Sequence, residues 1–425
     1  MHLRSPILSF VVTAASLVSL HAADLTTASS APKIVACDAN VPSQKRGVCA
    51  NKLDAADFRA LAPGVSWYYT WHFEPTSTPP PDANIEFLPM CWGADETRLN
   101  GLKNYLAGGH HPRAVLALNE PNLKGQAFIP PEKAAEYYTK IKAVADQYHL
   151  PTVGPHMAIG SPTGSSITAM DPITHTQTTY SFMTPYLKAF LYYTDASHTD
   201  VGPLGVHSYG NIGELKWVVE MTYKEFHRPV WVTEYAWWGA PNVDEARKYL
   251  MEATDFLENN PHVAGYAWFK ERADNPKISL LEKSPGVLSP LGQAYVAMPA
   301  HDPNIFYRVP GKLAATRYAN SNDISARETK DPGAFLQVES NGDGSSVDYN
   351  LASDTGGNYH VKIRVLGHAG KVLEFYNGAT KLASATLAKD GWQEVETDLT
   401  LAKGTQTIQL KLPLVALNWL EFTAK

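Results

Sequence analysis

Ala114-Val115-Leu116-Ala117-Leu118-Asn119-Glu120-Pro121-Asn122 is an apolar run that turns polar at Asn119 and Glu120. It reads as a buried strand whose C-terminal end carries a carboxylate, with Pro121 suited to a chain that is leaving the strand. Seven further runs of this kind surround it, at 46–51, 65–71, 86–92, 152–156, 204–209, 230–235 and 264–269. Between several of them lie stretches of helical character, at 96–107, 132–148, 182–194, 212–225, 244–259 and 292–298. Such alternation predicts parallel strands joined by crossover helices. Eight strands over about 250 residues is the rhythm of a (β/α)8 TIM barrel. The stretch 74–84 holds three consecutive prolines and predicts an extended loop in place of a regular second helix.

The pattern changes on either side of this block. Residues 1–23 carry His2 and Arg4, an apolar run from Ile7 to Leu20, and small Ala22 and Ala23, which predicts a secretory signal peptide. The predicted catalytic domain then spans 24–298. Residues 299–310 contain three prolines and no helical periodicity, predicting a linker. From 311 to 425, alternating polar and apolar runs at 359–365, 372–376, 393–399 and 407–412 predict an all-β sandwich of jelly-roll type. Cys37, Cys49 and Cys91 match no zinc or redox spacing and are read as buried or unpaired thiols rather than a Cys37–Cys49 bridge.

Composition narrows the function. The 425 residues carry 42 acidic and 36 basic side chains, a net charge of −6, with no basic stripe of the kind a nucleic acid requires. Beyond the signal peptide no segment is long and apolar enough to span a membrane. Ten tryptophans and 21 tyrosines supply the flat, amphipathic rings that a carbohydrate reader uses.

Two glutamates end apolar runs: Glu120 in the fourth, and Glu234 in Val232-Thr233-Glu234-Tyr235-Ala236 of the seventh. A carboxylate there is expensive unless it has partners or a task. Two carboxylates facing one another across a glycosidic bond are what sugar hydrolysis requires, one to protonate the leaving oxygen and one to attack or to activate water.

The ordered set Lys45-Arg46-Gly47-Val48, Gly64-Val65-Ser66-Trp67-Tyr68-Tyr69-Thr70-Trp71, Asn119-Glu120-Pro121 and Val232-Thr233-Glu234-Tyr235-Ala236 resembles glycoside hydrolase family 128, the glycosyl hydrolase catalytic core group of endo-β-1,3-glucanases. That resemblance implies Glu120 as general acid/base, Glu234 as nucleophile, Asn119 as the partner of the sugar 2-hydroxyl, and Tyr209 as the residue holding the nucleophile. It implies no cofactor and no metal, and the histidines His110, His111 and His207 are read as solvated or hydrogen-bonded. Cys49, Ala50 and Thr70 depart from the family's pattern. Residues 311–425 resemble a family 6 carbohydrate-binding module through Ser346-Val347-Asp348-Tyr349-Asn350, Gly391-Trp392-Gln393 and Leu417-Asn418-Trp419. By that resemblance Trp392 stacks on a sugar and Asn418 hydrogen-bonds it.

Among the tryptophans near strand ends, Trp92 and Trp268 are the first choices as substrate platforms, followed by Trp71 and Trp237. The expected protein is a secreted, extracellular or periplasmic monomer that cleaves β-1,3-glucan internally by a retaining mechanism. It has no nucleic-acid or membrane partner. Two alternatives stay open: the same chemistry on a mixed-linkage glucan, xylan or galactan, and a glycan-binding protein that has lost catalysis.

Overall fold

The eight predicted runs all form parallel strands in the computed structural model, which describes residues 31–425. The predicted signal peptide lies outside the described residues. In chain order the N-terminal strands and helices are β1 (Lys33–Ala36), β2 (Ser43–Cys49), α1 (Ala55–Leu61), β3 (Val65–Tyr69), β4 (Glu86–Phe87), β5 (Met90–Cys91), α2 (Glu96–Ala107) and β6 (Val115–Ala117). There follow α3 (Pro131–Asp146), β7 (Thr152–Val153), β8 (His156–Met157), the hairpin β9 (Ile167–Met170) and β10 (Gln177–Tyr180), and α4 (Met183–Ala196). Then come β11 (Leu204–Ser208), α5 (Ile212–Phe226), β12 (Val230–Tyr235), α6 (Val243–Asn259), β13 (Val263–Phe269) and α7 (Pro290–Ala297).

Two of the runs are each split in two by a proline, Pro89 between β4 and β5 and Pro155 between β7 and β8, because proline cannot donate to a ladder. One parallel sheet runs β4-β3-β2-β13-β12-β11-β8 and a second runs β5-β6-β7. The two sheets therefore meet along the chain at both splits, and pairing passes from strand to strand until β13 returns to β2. Every residue of β3 and of β12 is buried, which is why these strands read as near-continuous apolar runs rather than as an alternating pattern.

The beginning and end of this circuit are tied together by a buried cation. The Arg46 guanidinium is fully enclosed and pairs with Glu258 at 2.9 Å. Its remaining N–H groups reach Tyr266 Oη and the carbonyls of Tyr295, Met298 and Pro299. A buried charge is tolerable only when its donors are satisfied in this way. Helix α1 and the β9–β10 hairpin were not expected from the sequence. The seven-residue α1 is too short for periodicity to reveal; it is marked by its capping box, Asp54 with Asp57.

The C-terminal region is β-rich, with β14 (Ile305–Val309), β15 (Gly311–Ala314), β16 (Asn320–Asn322), β17 (Ile324–Glu328), β18 (Leu336–Ser340) and β19 (Ser345–Ser353). Its later strands are β20 (Gly357–Gly367), β21 (Val372–Asn377), β22 (Thr380–Thr386), β23 (Gly391–Leu401), β24 (Gly404–Leu412) and β25 (Ala416–Ala424). One sheet runs β1-β14-β19-β24-β21-β22 and the other β17-β18-β25-β20-β23, around a shared apolar core.

Two expected boundaries are corrected here. The predicted linker 299–310 contains β14, because Ile305, Tyr307 and Val309 point inward and are buried in that core. Strand β1, assigned by the sequence to the catalytic domain, pairs with β14 and belongs to the C-terminal sheet. The regions also touch directly: Arg247 of α6 pairs with Glu328 of β17 at 3.1 Å, and Ala326 and Leu336 join the core of the N-terminal region. Cys37, Cys49 and Cys91 are buried and unpaired. Among the described residues no helix is long and apolar enough to cross a membrane.

Candidate active site

A cleft of about 810 Å³ opens where the C-terminal ends of the parallel strands converge, and Glu120 and Glu234 both line it. Glu120 follows β6 and Glu234 lies within β12; each is almost wholly buried. Strained backbone occurs at and beside the cleft, where Trp71, Leu118 and Glu120 lie in the left-handed region at φ 57°, 62° and 43°. Such conformations cost about 1–3 kcal/mol each in non-glycine residues and persist where the surroundings impose them.

Three donors converge on the Glu234 carboxylate. Trp71 Nε1–H donates to Oε1 at 2.7 Å, Tyr69 Oη–H donates to the same oxygen at 3.1 Å, and Tyr209 Oη–H donates to Oε2. Burial, reinforced by the adjacent negative charge, pushes both tyrosines well above their ordinary range, so they remain neutral donors. Glu120 has a different partner: His207 Nδ1 lies 2.8 Å from its Oε1 and 3.4 Å from Glu234 Oε2. Burial lowers the pKa of His207, but the two carboxylates outweigh it and the net direction is upward. On the far side of the ring, His207 Nε2 is 3.2 Å from Thr233 Oγ1.

Glu120, His207 and Glu234 place one donor atom each within 4.8 Å of the others, a spacing a cation could occupy. The hydrogen bonds already made by His207 and by both carboxylates account for that proximity. Asn119 donates its Nδ2 to Gln126, and its Oδ1 is buried without a protein partner beside the cleft.

Of the predicted platforms, Trp71 and Trp92 line the cleft, Trp92 with the Arg98 guanidinium 5.2 Å from its ring centroid. Trp268 does not. It is fully buried, donates its Nε1–H to the Ile278 carbonyl, and packs edge-on against Tyr235. The cleft aromatic on β13 is the next residue, Phe269, because successive side chains of a strand point to opposite faces. Trp237 also lies outside the cleft, packed against Tyr249 of α6. Its neighbour Trp238 is 47% exposed and sits edge-on to Tyr209. The sequence reading missed Tyr69, Thr233 and Phe269 and gave His207 no task; for Tyr69, strand parity counted from Trp71 two residues on was the available signal.

In the C-terminal region, Asn418 is wholly enclosed and donates its Nδ2 to Asp331, so it is not placed to meet a sugar. Trp392 is half-buried at the start of β23, with the Arg364 guanidinium 5.4 Å from its ring centroid.

A family model described as "Glycosyl hydrolase catalytic core" matches residues 47–295, the stretch that holds the cleft. The chain belongs to this family. It is a glycoside hydrolase. Two solved structures similar to it are family 128 (subgroup II) endo-β-1,3-glucanases. The one from Pseudomonas viridiflava is 29% identical and covers 61% of this chain and 100% of its own, with a TM-score of 0.54. The one from Sorangium cellulosum is 33% identical and covers 60% and 99%, with a TM-score of 0.51. Alkali-sensitive linkage protein 1 of Schizosaccharomyces pombe is 24% identical over 247 residues, and the match spans 55% of the hydrolase but only 40% of that relative.

Proposed function

We propose that the protein is a secreted endo-β-1,3-glucanase working by a retaining double displacement, with Glu234 as nucleophile and Glu120 as acid/base. The observation that carries this reading is the approach of the two carboxylates to within 4.8 Å at their nearest oxygens. Measured between carboxyl groups, retaining enzymes hold the pair about 5–5.5 Å apart and inverting enzymes about 6.5–9.5 Å to admit a water, and an approach this close at the oxygens supports the narrower spacing. The glucan substrate and internal cleavage are supported by the two family 128 structures, both of endo-β-1,3-glucanases.

The roles follow from the partners. Glu234, held by three neutral donors, attacks the anomeric carbon while Glu120 gives its proton to the leaving glycosidic oxygen. Glu120 then takes a proton from water as that water displaces Glu234, and the anomeric configuration is restored. The unpartnered Asn119 Oδ1 supports a hydrogen bond from the sugar 2-hydroxyl. Trp71, Trp92 and Phe269 offer ring faces to glucose units.

The closed circuit of parallel strands is read as a (β/α)8 barrel, whose strand C-termini are the usual seat of catalysis. The two C-terminal sheets are read as a jelly-roll sandwich that keeps the enzyme on polymeric glucan. Reducing-sugar release across pure β-1,3-glucan, mixed-linkage glucan, xylan and galactan tests the substrate. The reading expects β-1,3-glucan to be cleaved fastest and to a ladder of oligosaccharides; preference for another glycan, or release of glucose alone, overturns it.

A further inference from the structure

Strands β11 and β12 fall out of register beside the active site. Val206 lies opposite Val232, but His207 lies opposite Glu234, so Thr233 is an extra residue on β12. A bulge of this kind re-aims side chains. Here it brings the Thr233 hydroxyl between two histidine rings, 3.2 Å from His207 Nε2 and 2.8 Å from His156 Nδ1. His156, Thr233 and His207 are all buried, and the sequence itself makes room for the second histidine: a Cβ at Gly205 would stand 2.1 Å from His156 Nδ1.

One hydroxyl proton serves two histidines, so the tautomer of His156 sets the direction of this chain. His207 Nδ1 faces Glu120 Oε1 at 2.8 Å and, at 3.4 Å, Oε2 of Glu234, the carboxylate that the proposed mechanism keeps ionised, so it is the N–H of the ring that points between them. Burial together with the nearby His207 lowers the His156 pKa to about 3, which leaves that ring neutral. Neutral His156 is assigned the tautomer protonated at Nε2, the ring nitrogen without a hydrogen-bond partner, so that Nδ1 accepts the Thr233 O–H and the Thr233 oxygen accepts an N–H from His207 Nε2. Both nitrogens of His207 thus donate. The charged groups that face it are Glu120 from the end of β6 and Glu234 from β12. From β8 comes the neutral His156, and from its own strand end the neutral Tyr209.

On the proposed retaining mechanism, we propose that Thr233, seated on His156, is a positioning residue that holds His207 as a doubly protonated donor between the two catalytic glutamates. Its part is to keep the second ring proton on His207, the donor that faces Glu120 Oε1 at 2.8 Å, and loss of that proton sets the basic limb of the pH profile.

The test uses the full chain and two readouts, one of them independent of turnover. In ¹⁵N-histidine spectra, with His207 assigned by a His207→Asn variant, wild-type His207 shows two protonated nitrogens at pH 6. Thr233→Val, which removes the hydroxyl and keeps the shape, is expected to leave His207 with one. The same variant moves the basic limb of kcat/KM on a β-1,3-glucan oligosaccharide down by about one pH unit. Thr233→Ser restores both readouts, and His156→Leu, which removes the acceptor of the hydroxyl, shifts them in the same direction by less. A Thr233→Val enzyme with reduced rate but an unmoved basic limb and an unchanged His207 spectrum overturns the proposal and makes the hydroxyl mere packing. So does a wild-type His207 with a single protonated nitrogen at pH 6. A normal His207 spectrum in a protein whose Glu120→Gln variant retains full hydrolysis overturns the retaining mechanism instead.

Discussion

Buried polar groups occur in both halves of the molecule, and their arrangement separates the two. In the parallel region, the polar side chains at the strand ends form an open set. Glu234 collects three donors, Glu120 shares His207 with it, and Asn119 keeps an unpartnered oxygen beside a cleft of about 810 Å³. In the C-terminal region, the comparable cluster is turned inward: Arg364 pairs with Asp331, which also takes the Asn418 amide, and Asn418, whose Oδ1 is likewise unpartnered, is wholly enclosed and faces no cleft of this kind. The first set holds acids and donors ready for something absent from the chain, and the second holds strands together. Burial of a polar residue is therefore weak evidence of function; an unspent valence facing a cavity is stronger.

The sharpest way to break this comparison is to remove one member from each set. Glu234→Ala is expected to lower hydrolysis by about 10⁴-fold or more, with an unchanged melting temperature. Added azide is expected to restore part of the rate and to yield a glycosyl azide of inverted configuration. A variant that remains within tenfold of wild type places the nucleophile elsewhere.

Asp331 is expected to affect stability and not turnover. The Arg364 guanidinium, in charge-assisted contact with it, holds its carboxyl below the usual carboxylate range. A depressed folded pKa contributes stability above the unfolded value near pH 4, and that contribution is lost as pH falls through the lower folded value. Asp331→Ala is expected to cost about 1.5–3 kcal/mol at pH 7, the range for hydrogen bonds to charged groups, with the difference from wild type shrinking below pH 4. Equal destabilisation at pH 3 and pH 7, measured by urea unfolding, would deny the pair its electrostatic part.

The smallest effect concerns the one site at which the C-terminal region is proposed to meet glucan. Trp392→Ala is expected to reduce retention of the full chain on insoluble β-1,3-glucan several-fold, to leave hydrolysis of soluble oligosaccharides unchanged, and to lower the melting temperature by no more than about a few degrees. A large drop in melting temperature with unaltered retention would make Trp392 another member of the closed cluster.

The difference between the regions also explains what the sequence revealed. Strands buried on both faces stand out as apolar runs, so all eight were legible, as were the two glutamates that interrupt them. The split at Pro89 and at Pro155 was visible in the residues but not its consequence, the division of one circuit into two sheets. Trp268 was chosen among the tryptophans for its place at the strand end, but parity on β13 turns it away from the cleft and turns its neighbour Phe269 toward it. Asn418 looked available because its burial depends on Asp331, 87 residues away in sequence. Thr233 was hidden for a similar reason, since a bulge is a property of pairing between strands and leaves no local signature. The pairing of β1 with β14 spans the whole catalytic region and could not be read from either segment.

The central claim is that Glu120 and Glu234 act as a retaining pair. The most direct measurement is ¹H NMR of the anomeric protons during the first minutes of β-1,3-glucan hydrolysis, before mutarotation. The account predicts that the β-anomer of the new reducing end appears first and the α-anomer grows in slowly. Initial appearance of the α-anomer would mean single displacement by water and would contradict it.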